Sequence, residues 1–354
     1  MQRQYTNGTK MDPSFVVVVP ALNEEKHIES VVRDLMVGLD VERGEIWVLD
    51  GGSSDKTRSV VSSIAEKEPN VRLITNPGRT QAHALNLAAK MAADQGDIDI
   101  LIRADAHAAY PPQFAHKLVD RLISCGASSV VVPMRTVGDT KMSRAGSDLF
   151  NSWLGNGASP HRSSSPGGFV DHGHHAAFKL DVFMELGGYD VDFLANEDVE
   201  FDRRLILSGA KVFLDPNVRI DYFPRETFWG TWAQFFRNGR GRFSTLAKHR
   251  MPPKIRQLIP VGAACTVLGG ALLSIVIHPV FLAFPSLYFL LVCLISTSII
   301  TEHSVDRFLR VFGLAIISHT AFGIGWLTEM ISRGLEFILP ERQTAPGTPS
   351  ARSG

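Results

Sequence analysis

Between Phe15 and Met134 two hydrophobic rhythms alternate. Short solid apolar runs, "FVVVVP" (15–20), "EIWVLD" (45–50), "VRLIT" (71–75), "IDILIRADA" (98–106) and "SSVVVPM" (128–134), have the length and β-branched content of buried strands. Between them, apolar residues recur at helical spacing: Ile28, Val31, Val32, Leu35 and Leu39 in "EEKHIESVVRDLMVGL", then "DKTRSVVSSIAEK", "TQAHALNLAAKMAA" and "QFAHKLVDRLIS". This alternation predicts an α/β fold with a mostly parallel sheet and right-handed crossovers. Such sheets bind ligands beyond the carboxyl ends of their strands. Three of those ends are polar: "PALNEE", "DGGSSD" and "DAH".

From Lys141 to Asp171 the pattern dissolves, and "GNGASPHRSSSPGG" (155–168) reads either as a mobile surface loop or as a solvated spacer. Order returns with "AAFKLDVFMELGGYD" and with "NEDVEFDRRLILSGAKVFLDP", in which Val199, Leu205 and Ile206 share a helical face and Gly209 supplies the stop.

The C-terminal third changes character. Leu258–Thr301 holds no Asp, Glu, Lys or Arg, whereas Arg225–Arg256 carries eight Lys/Arg against the single acid Glu226. The uncharged stretch fits two membrane spans, Leu258–Ile277 and Val280–Ile300, broken at His278–Pro279. A third, Val311–Thr328, sits within 311–330. A buried core pair is the alternative, but helices of a soluble protein need a polar face. The expected organisation is a disordered leader (1–13), an α/β catalytic domain (14–224), a basic amphipathic interface segment (225–256), transmembrane helices (257–332) and a tail (333–354). With the catalytic domain inside, the loop Thr301–Arg310 also returns inside with Arg307 and Arg310, as the positive-inside rule favours; Arg333 and Arg342 oppose it.

Overall charge is balanced, 36 basic against 36 acidic residues, which predicts no nucleic-acid partner. Cys125, Cys265 and Cys293 form no disulfide or zinc pattern and suit a reducing compartment. "MQRQYTNGTKMDPS" lacks the apolar core of a signal peptide.

The polar strand ends suit a sugar nucleotide. Ionised carboxylates accept the hydrogen bonds that a base and a ribose diol donate, which places Glu24 and Asp50 there. Asp55 reads equally as a helix cap. A diphosphate repels carboxylates unless a cation intervenes, and Mg²⁺ or Mn²⁺ binds through one or two protein ligands plus substrate phosphates. Asp105 and His107, one residue apart at a strand end, can face one such cation, and the imidazole tilts the preference from Mg²⁺ toward Mn²⁺ or another transition ion. "DHGHH" (171–175) is attractive for a metal, but no second cluster completes a tetrahedral set, so acceptor lining or ordinary packing is the expectation. "QFFRNGRGRF" offers Gln234, Arg237, Arg240 and Arg242 to a leaving diphosphate or, with its aromatic neighbours, to anionic lipid. Arg79 in "NPGRTQAHALN" is a further diphosphate candidate or a solvated loop charge.

Taken in order, "VVVVPALNEEKHIESVV", "VLDGGSSDKT", "RADAH", "NEDVEFDRRLILSG" and "WAQFFRNGRGR" resemble the inverting family 2 glycosyltransferases of GT-A, Rossmann-like fold, over about residues 14–245. "DAHAAYPP" and "FFRNGRGR" more narrowly resemble the succinoglycan-type membrane glucosyltransferases of exopolysaccharide assembly. The resemblance implies base and ribose contacts from Pro20, Ala21, Glu24 and Asp50. It implies a metal at Asp105 and His107, where the family's D-x-D has a second acid. It makes Asp198 in "NEDVE" the general base, and Gln234, Arg237 and Arg240 counterparts of Q-x-x-R-W, with Asn238 where the Trp would stand. It further implies a UDP-sugar donor (glucose), a polyprenyl-diphosphate-linked acceptor, a lipid bilayer and other polysaccharide-assembly proteins as partners, and a β-linked product, β-1,3 among the options. Asp198 opening a helix would be a weaker base, because the helix dipole lowers its pKa. A processive polysaccharide synthase and a non-catalytic sugar-nucleotide scaffold are the competing readings.

Overall fold

The computed structural model describes residues 5–6, 9–10, 12–157 and 166–338. The strands are β1 (Tyr5–Thr6), β2 (Thr9–Lys10), β3 (Ser14–Ala21), β4 (Gly44–Asp50), β5 (Val71–Thr75), β6 (Ile98–Arg103), β7 (Ala108–Ala109), β8 (Ser129–Val132), β9 (Met134–Thr136), β10 (Gly168–Val170), β11 (His174–Lys179), β12 (Val212–Leu214) and β13 (Ile220–Tyr222). The helices are α1 (Ile28–Met36), α2 (Thr57–Ala65), α3 (Gln81–Gln95), α4 (Phe114–Cys125), α5 (Lys141–Phe150), α6 (Trp153–Asn156), α7 (Leu180–Glu185), α8 (Glu197–Leu207), α9 (Phe228–Lys248), α10 (Ile255–Val276), α11 (Ala283–Ile299) and α12 (Val305–Ile338). Of the expected leader, β1 and β2 pair antiparallel and most of the remainder lies outside the described residues. So do residues 158–165 of the expected loop and Arg342 of the expected tail.

The main sheet runs β10-β12-β8-β11-β6-β3-β4-β5, with β6, β3, β4 and β5 mutually parallel. The apolar runs are unbroken because both sheet faces are covered. On β3, Phe15, Val17 and Val19 pack under α1 and α4, while Val16 and Val18 face α3, α7 and α8. β11 enters antiparallel between β6 and β8, in a segment whose periodicity had not marked a strand. The run at 128–134 divides: β8 joins the main sheet, and after Pro133, which has no N–H for the ladder, β9 joins β7 and β13 in a small sheet.

Order also appears where the pattern had dissolved. Thr140 caps α5 by accepting from the Ser143 N–H, and Ala145, Leu149 and Phe150 pack against Val292, Val311, Leu314 and Ala315 of α11 and α12. The partner face lies some 150 residues downstream, so the local sequence carried no sign of it.

Segments Ile255–Val276, Pro279–Ile299 and Val305–Gly334 are long and apolar enough to cross a membrane. Leu272 and Ile275 of α10 are 61% and 84% exposed, an arrangement that fits lipid rather than water. α12 begins earlier than the apolar run at 311–330 because its charged first turns are satisfied locally and across the molecule. Arg307 Nε donates to Asp148 Oδ2 of α5 at 2.6 Å, and the Thr301 hydroxyl donates to the same carboxylate at 2.9 Å. Arg333 pairs with Glu329 within the helix.

α9 lies along α12 at very close approach. A Cβ on Gly239 would collide with the Phe322 carbonyl, and one on Gly325 with the Phe236 carbonyl, so small residues set this contact.

Candidate active site

The carboxyl end of β3 meets that of β4 side by side, with Ala21 registered against Asp50. Asp50 is fully buried and accepts from the Gly52 N–H (3.0 Å), the Ser53 N–H (3.2 Å) and Arg58 Nη1 (2.7 Å). Burial alone would raise its pKa, but these bonds from Ser53, Arg58 and Gly52 hold the carboxyl below its ordinary value. Pro20 is half-buried and Ala21 buried beside it. Glu24 follows Asn23, which adopts φ +57°, and its N–H donates to Thr57 Oγ1 at 2.8 Å. Asp55, two residues before α2, accepts from the Thr57 N–H at 2.9 Å and from the Thr57 hydroxyl at 2.6 Å. Arg79, at φ +62°, is exposed, its carbonyl abuts Gly51, and it is not among the residues lining the cavity described next.

A cavity of about 380 Å³ opens beyond β6, lined among others by Arg103, Asp105, His107, His172, His174, Glu197, Asp198, Gln234, Arg237 and Arg242. At its edge the D-A-H turn is pinned by Tyr110, whose hydroxyl accepts from the Asp105 N–H (2.6 Å) and donates to the Asp105 carbonyl (3.0 Å). His107 Nδ1 lies 3.1 Å from Glu24 Oε1, and the ring meets Tyr222 edge-on at 5.3 Å. The end of β3 and the turn after β6 are thus one continuous surface.

The back of the cavity is an acid–base cluster. Arg103 reaches Asp105 (3.2 Å), Asp198 (3.4 Å) and Glu197 (3.6 Å). Burial works against its charge, but Asp105, Tyr189, Asp198 and Glu197 together keep the guanidinium protonated. His174 Nδ1 sits 2.7 Å from Asp198 Oδ2, and His172 Nδ1 sits 2.7 Å from Asp202 Oδ2. Adjacent carboxyls Glu197 and Asp198 are pushed apart. Burial and then the Asp198 charge raise Glu197, whereas His174, His172 and Arg103 overcome burial to hold Asp198 well below its ordinary value. Asp198 is therefore the ionised member. His174 is lowered by burial against the pull of Asp198, and so is a neutral donor to it at neutral pH.

The opposite wall is α9. Gln234 Nε2 donates to the Tyr222 hydroxyl at 3.1 Å, and the Asn238 carbonyl accepts from Asn196 Nδ2 at 3.1 Å. Asn196 holds φ +63° immediately before Glu197, so α9 braces the turn that presents Asp198. Arg240, grouped with this wall on sequence grounds, instead points to α12, where its Nε donates to Glu329 Oε2 at 2.8 Å; it is not a cavity residue, because two residues of helix rotate it away from Asn238. Arg242, which follows it, does line the cavity.

Two donor sets here suit a divalent cation. Asp105 and His107 line the cavity one residue apart, and His107, which meets Glu24 through Nδ1, retains its other ring nitrogen. Separately, donor atoms of His172, His174 and Asp198 all lie within 4.8 Å of one another. The sequence had shown the "DHGHH" histidines without a companion, because their third donor stands 24 positions on, across the sheet.

Residues 16–187 match the model of Glycosyl transferase family 2, and residues 112–300 that of Glycosyl transferase family group 2. Over 264 residues the chain is 39% identical to the succinoglycan biosynthesis protein ExoA of Rhizobium meliloti (strain 1021), covering 74% of this chain and 79% of that one. It is 25% identical over 312 residues to a Methanococcus voltae protein, covering 79% of this chain and 94% of the relative. That relative is named dolichyl N-acetyl-alpha-D-glucosaminyl phosphate 3-beta-D-2,3-diacetamido-2,3-dideoxy-beta-D-glucuronosyltransferase. Among solved structures, the mannosyltransferase PcManGT from Pyrobaculum calidifontis, in complex with GDP-Man and Mn²⁺, shares the fold at TM-score 0.53 and 18% identity, covering 93% of this chain and 88% of its own. Because a relative 39% identical is matched over 74% of this chain and 79% of its own length, and two family 2 models match residues 16–187 and 112–300, the chain belongs to glycosyltransferase family 2 and is a glycosyltransferase with a GT-A-like sheet.

Proposed function

We propose that the protein is a membrane-anchored, inverting hexosyltransferase of succinoglycan-like exopolysaccharide assembly. It moves glucose from UDP-glucose, in β linkage and at position 3 by preference, onto a polyprenyl-diphosphate-linked saccharide. The catalytic domain faces the cytoplasm, the helices cross the bilayer more than once, and other polysaccharide-assembly proteins act beside it. The observation that carries the reading is an ionised Asp198 facing the same cavity as Asp105, His107, Gln234 and Arg237. The similarity to a succinoglycan biosynthesis protein supports the pathway class.

Inversion is one in-line displacement. The acceptor hydroxyl gives its proton to Asp198 as its oxygen bonds to the anomeric carbon. The bond from that carbon to the diphosphate oxygen breaks, and its electron pair leaves with UDP. Asp198 is a weak base in the resting enzyme, because His174 and Arg103 stabilise its charge. The same contacts keep it deprotonated and fix its direction, and an acceptor that displaces water from the cavity strengthens it. Pro20, Ala21, Glu24 and Asp50 hold the base and ribose, and Gln234 and Arg237 face the charge growing on the leaving group. Arg79 stands at the nucleotide end as an outer diphosphate contact.

Asp105 and His107 would hold the Mg²⁺ or Mn²⁺, which supplies charge neutralisation for the diphosphate. The histidine–Asp198 set is the poorer choice, because a cation ligated by Asp198 would depress the basicity that the hydroxyl proton needs. The deciding experiment is a transfer assay with a panel of nucleotide sugars, a lipid-linked acceptor extract and each metal. Asp198→Asn is expected to keep donor binding and lose transfer by about 10²–10⁴-fold; near-normal turnover would remove Asp198 as the base.

A further inference from the structure

α9 offers the cavity two arginines in different company. Arg237 and Arg242 both line it, and neither makes a hydrogen bond or ion pair with any described residue. Five helical residues separate them by about 7.5 Å along the axis and by more than a third of a turn around it. The charges bearing on them differ accordingly: Arg225 on Arg237, but Asp198 and Arg256 on Arg242. Arg240, between them, is committed to Glu329.

Three features fix where Arg242 stands. Gly241 presses α9 against the Ala195 carbonyl, so Arg242 emerges beside the segment that leads to Asp198. Phe322 of α12 lines the cavity too, so a helix long enough to span a membrane forms part of its wall. Burial lowers the Arg242 guanidinium to about 10, against the pull of Asp198, which leaves it charged at neutral pH. A desolvated cation without a partner is costly, and an arriving anion removes that cost.

An acceptor of the proposed kind has a matching shape. Its hydroxyl must meet Asp198 while its anomeric diphosphate sits a sugar ring away, toward the membrane. We infer that Arg242 is the anion-binding residue of a second subsite, which takes the diphosphate of the polyprenyl-linked acceptor and is separate from the nucleoside-diphosphate subsite at Gln234 and Arg237. This rests on the acceptor class proposed above.

The test is calorimetric titration of the full-length protein in lipid nanodiscs with geranylgeranyl diphosphate, inorganic pyrophosphate and UDP. Arg242→Gln is expected to weaken geranylgeranyl diphosphate by about tenfold or more and to leave UDP within about twofold, while Arg237→Gln does the reverse. Arg242→Lys keeps the charge and is expected to recover part of the affinity, which separates a lost contact from a damaged fold. Equal loss of UDP and geranylgeranyl diphosphate in Arg242→Gln, or no loss of either, overturns the inference. Inorganic pyrophosphate binding as tightly as geranylgeranyl diphosphate overturns the lipid assignment. A wild type that transfers sugar while its Arg242→Gln variant loses UDP sinks this subsite alone; a wild type that transfers to no lipid-linked acceptor sinks the functional reading itself.

Discussion

One hydroxyl, on Tyr110, both accepts from and donates to the backbone of Asp105, and so sets the turn on which Asp105 and His107 are displayed. Tyr110 is 5% exposed, so Tyr110→Phe removes two hydrogen bonds made by a buried hydroxyl and is expected to cost about 1–3 kcal/mol, read by thermal melting. It should also raise the Mn²⁺ concentration that half-restores transfer after chelation; an unchanged metal requirement would separate Tyr110 from the cation. EDTA is expected to abolish transfer, with Mn²⁺ restoring it at lower concentration than Mg²⁺ if His107 is a ligand. His107→Asp should then narrow that difference. His174→Ala removes the neutral donor to Asp198 and lets its pKa rise, so the acid limb of the pH–rate profile should move to higher pH. An unmoved limb would mean that His174 does not act through Asp198.

Helix α9 joins the site to the rest of the molecule, and two features lock it in place. Gly239 and Gly241 let its backbone touch α12 and the Ala195 carbonyl; Gly241→Ala is expected to shift α9 and lower kcat through the Asp198 turn, with donor affinity little changed. The second is Glu200 of α8, fully buried, which takes Lys248 (2.7 Å) and His249 (3.0 Å) from the end of α9 as well as Arg204 (2.7 Å). Burial would raise Glu200, but Arg204, Lys248 and His249 bring it below its ordinary value. Its stabilisation is therefore complete above the unfolded-state value, about 4.3, and drains away as pH falls through the lower folded value. Glu200→Gln is expected to lose about 2 kcal/mol at pH 7, with the gap from wild type closing in acid; a pH-independent gap would point to packing instead.

Across the whole molecule, α5 packs on α11 and α12, and Asp148 of α5 bonds Arg307 of α12, so this helix joins the sheet-bearing part to the apolar helices. The Asp148 and Arg307 side chains are 3% and 11% exposed, so Asp148→Ala takes the buried carboxylate from a nearly buried guanidinium and leaves it the Thr301 hydroxyl (2.9 Å) and the exposed Glu302 (3.8 Å). A loss on the order of 3 kcal/mol is expected, seen as a lower melting temperature of the extracted protein; an unchanged melting temperature would show the joint to be incidental. The parallel strands and their polar ends were legible because a strand covered on both faces writes a solid apolar run. Strand β11 and helix α5 were not, since each is decided by distant partners, β6 and β8 for one and α11 and α12 for the other. Arg240 was misplaced for a related reason: adjacent basic residues on a helix point in different directions, and only the position of α12 tells which one is taken.

The sequence by itself determined the parallel strands of the sheet, the acidic motifs at their ends and the uncharged stretches behind them, because hydrophobic periodicity and charge are local properties of a chain. The tertiary structure alone decided which of two adjacent carboxyls is ionised, which arginines of α9 face the cavity, and that two histidines stand beside Asp198. Those are outcomes of burial and of distances between residues far apart in the chain, and no local pattern encodes them.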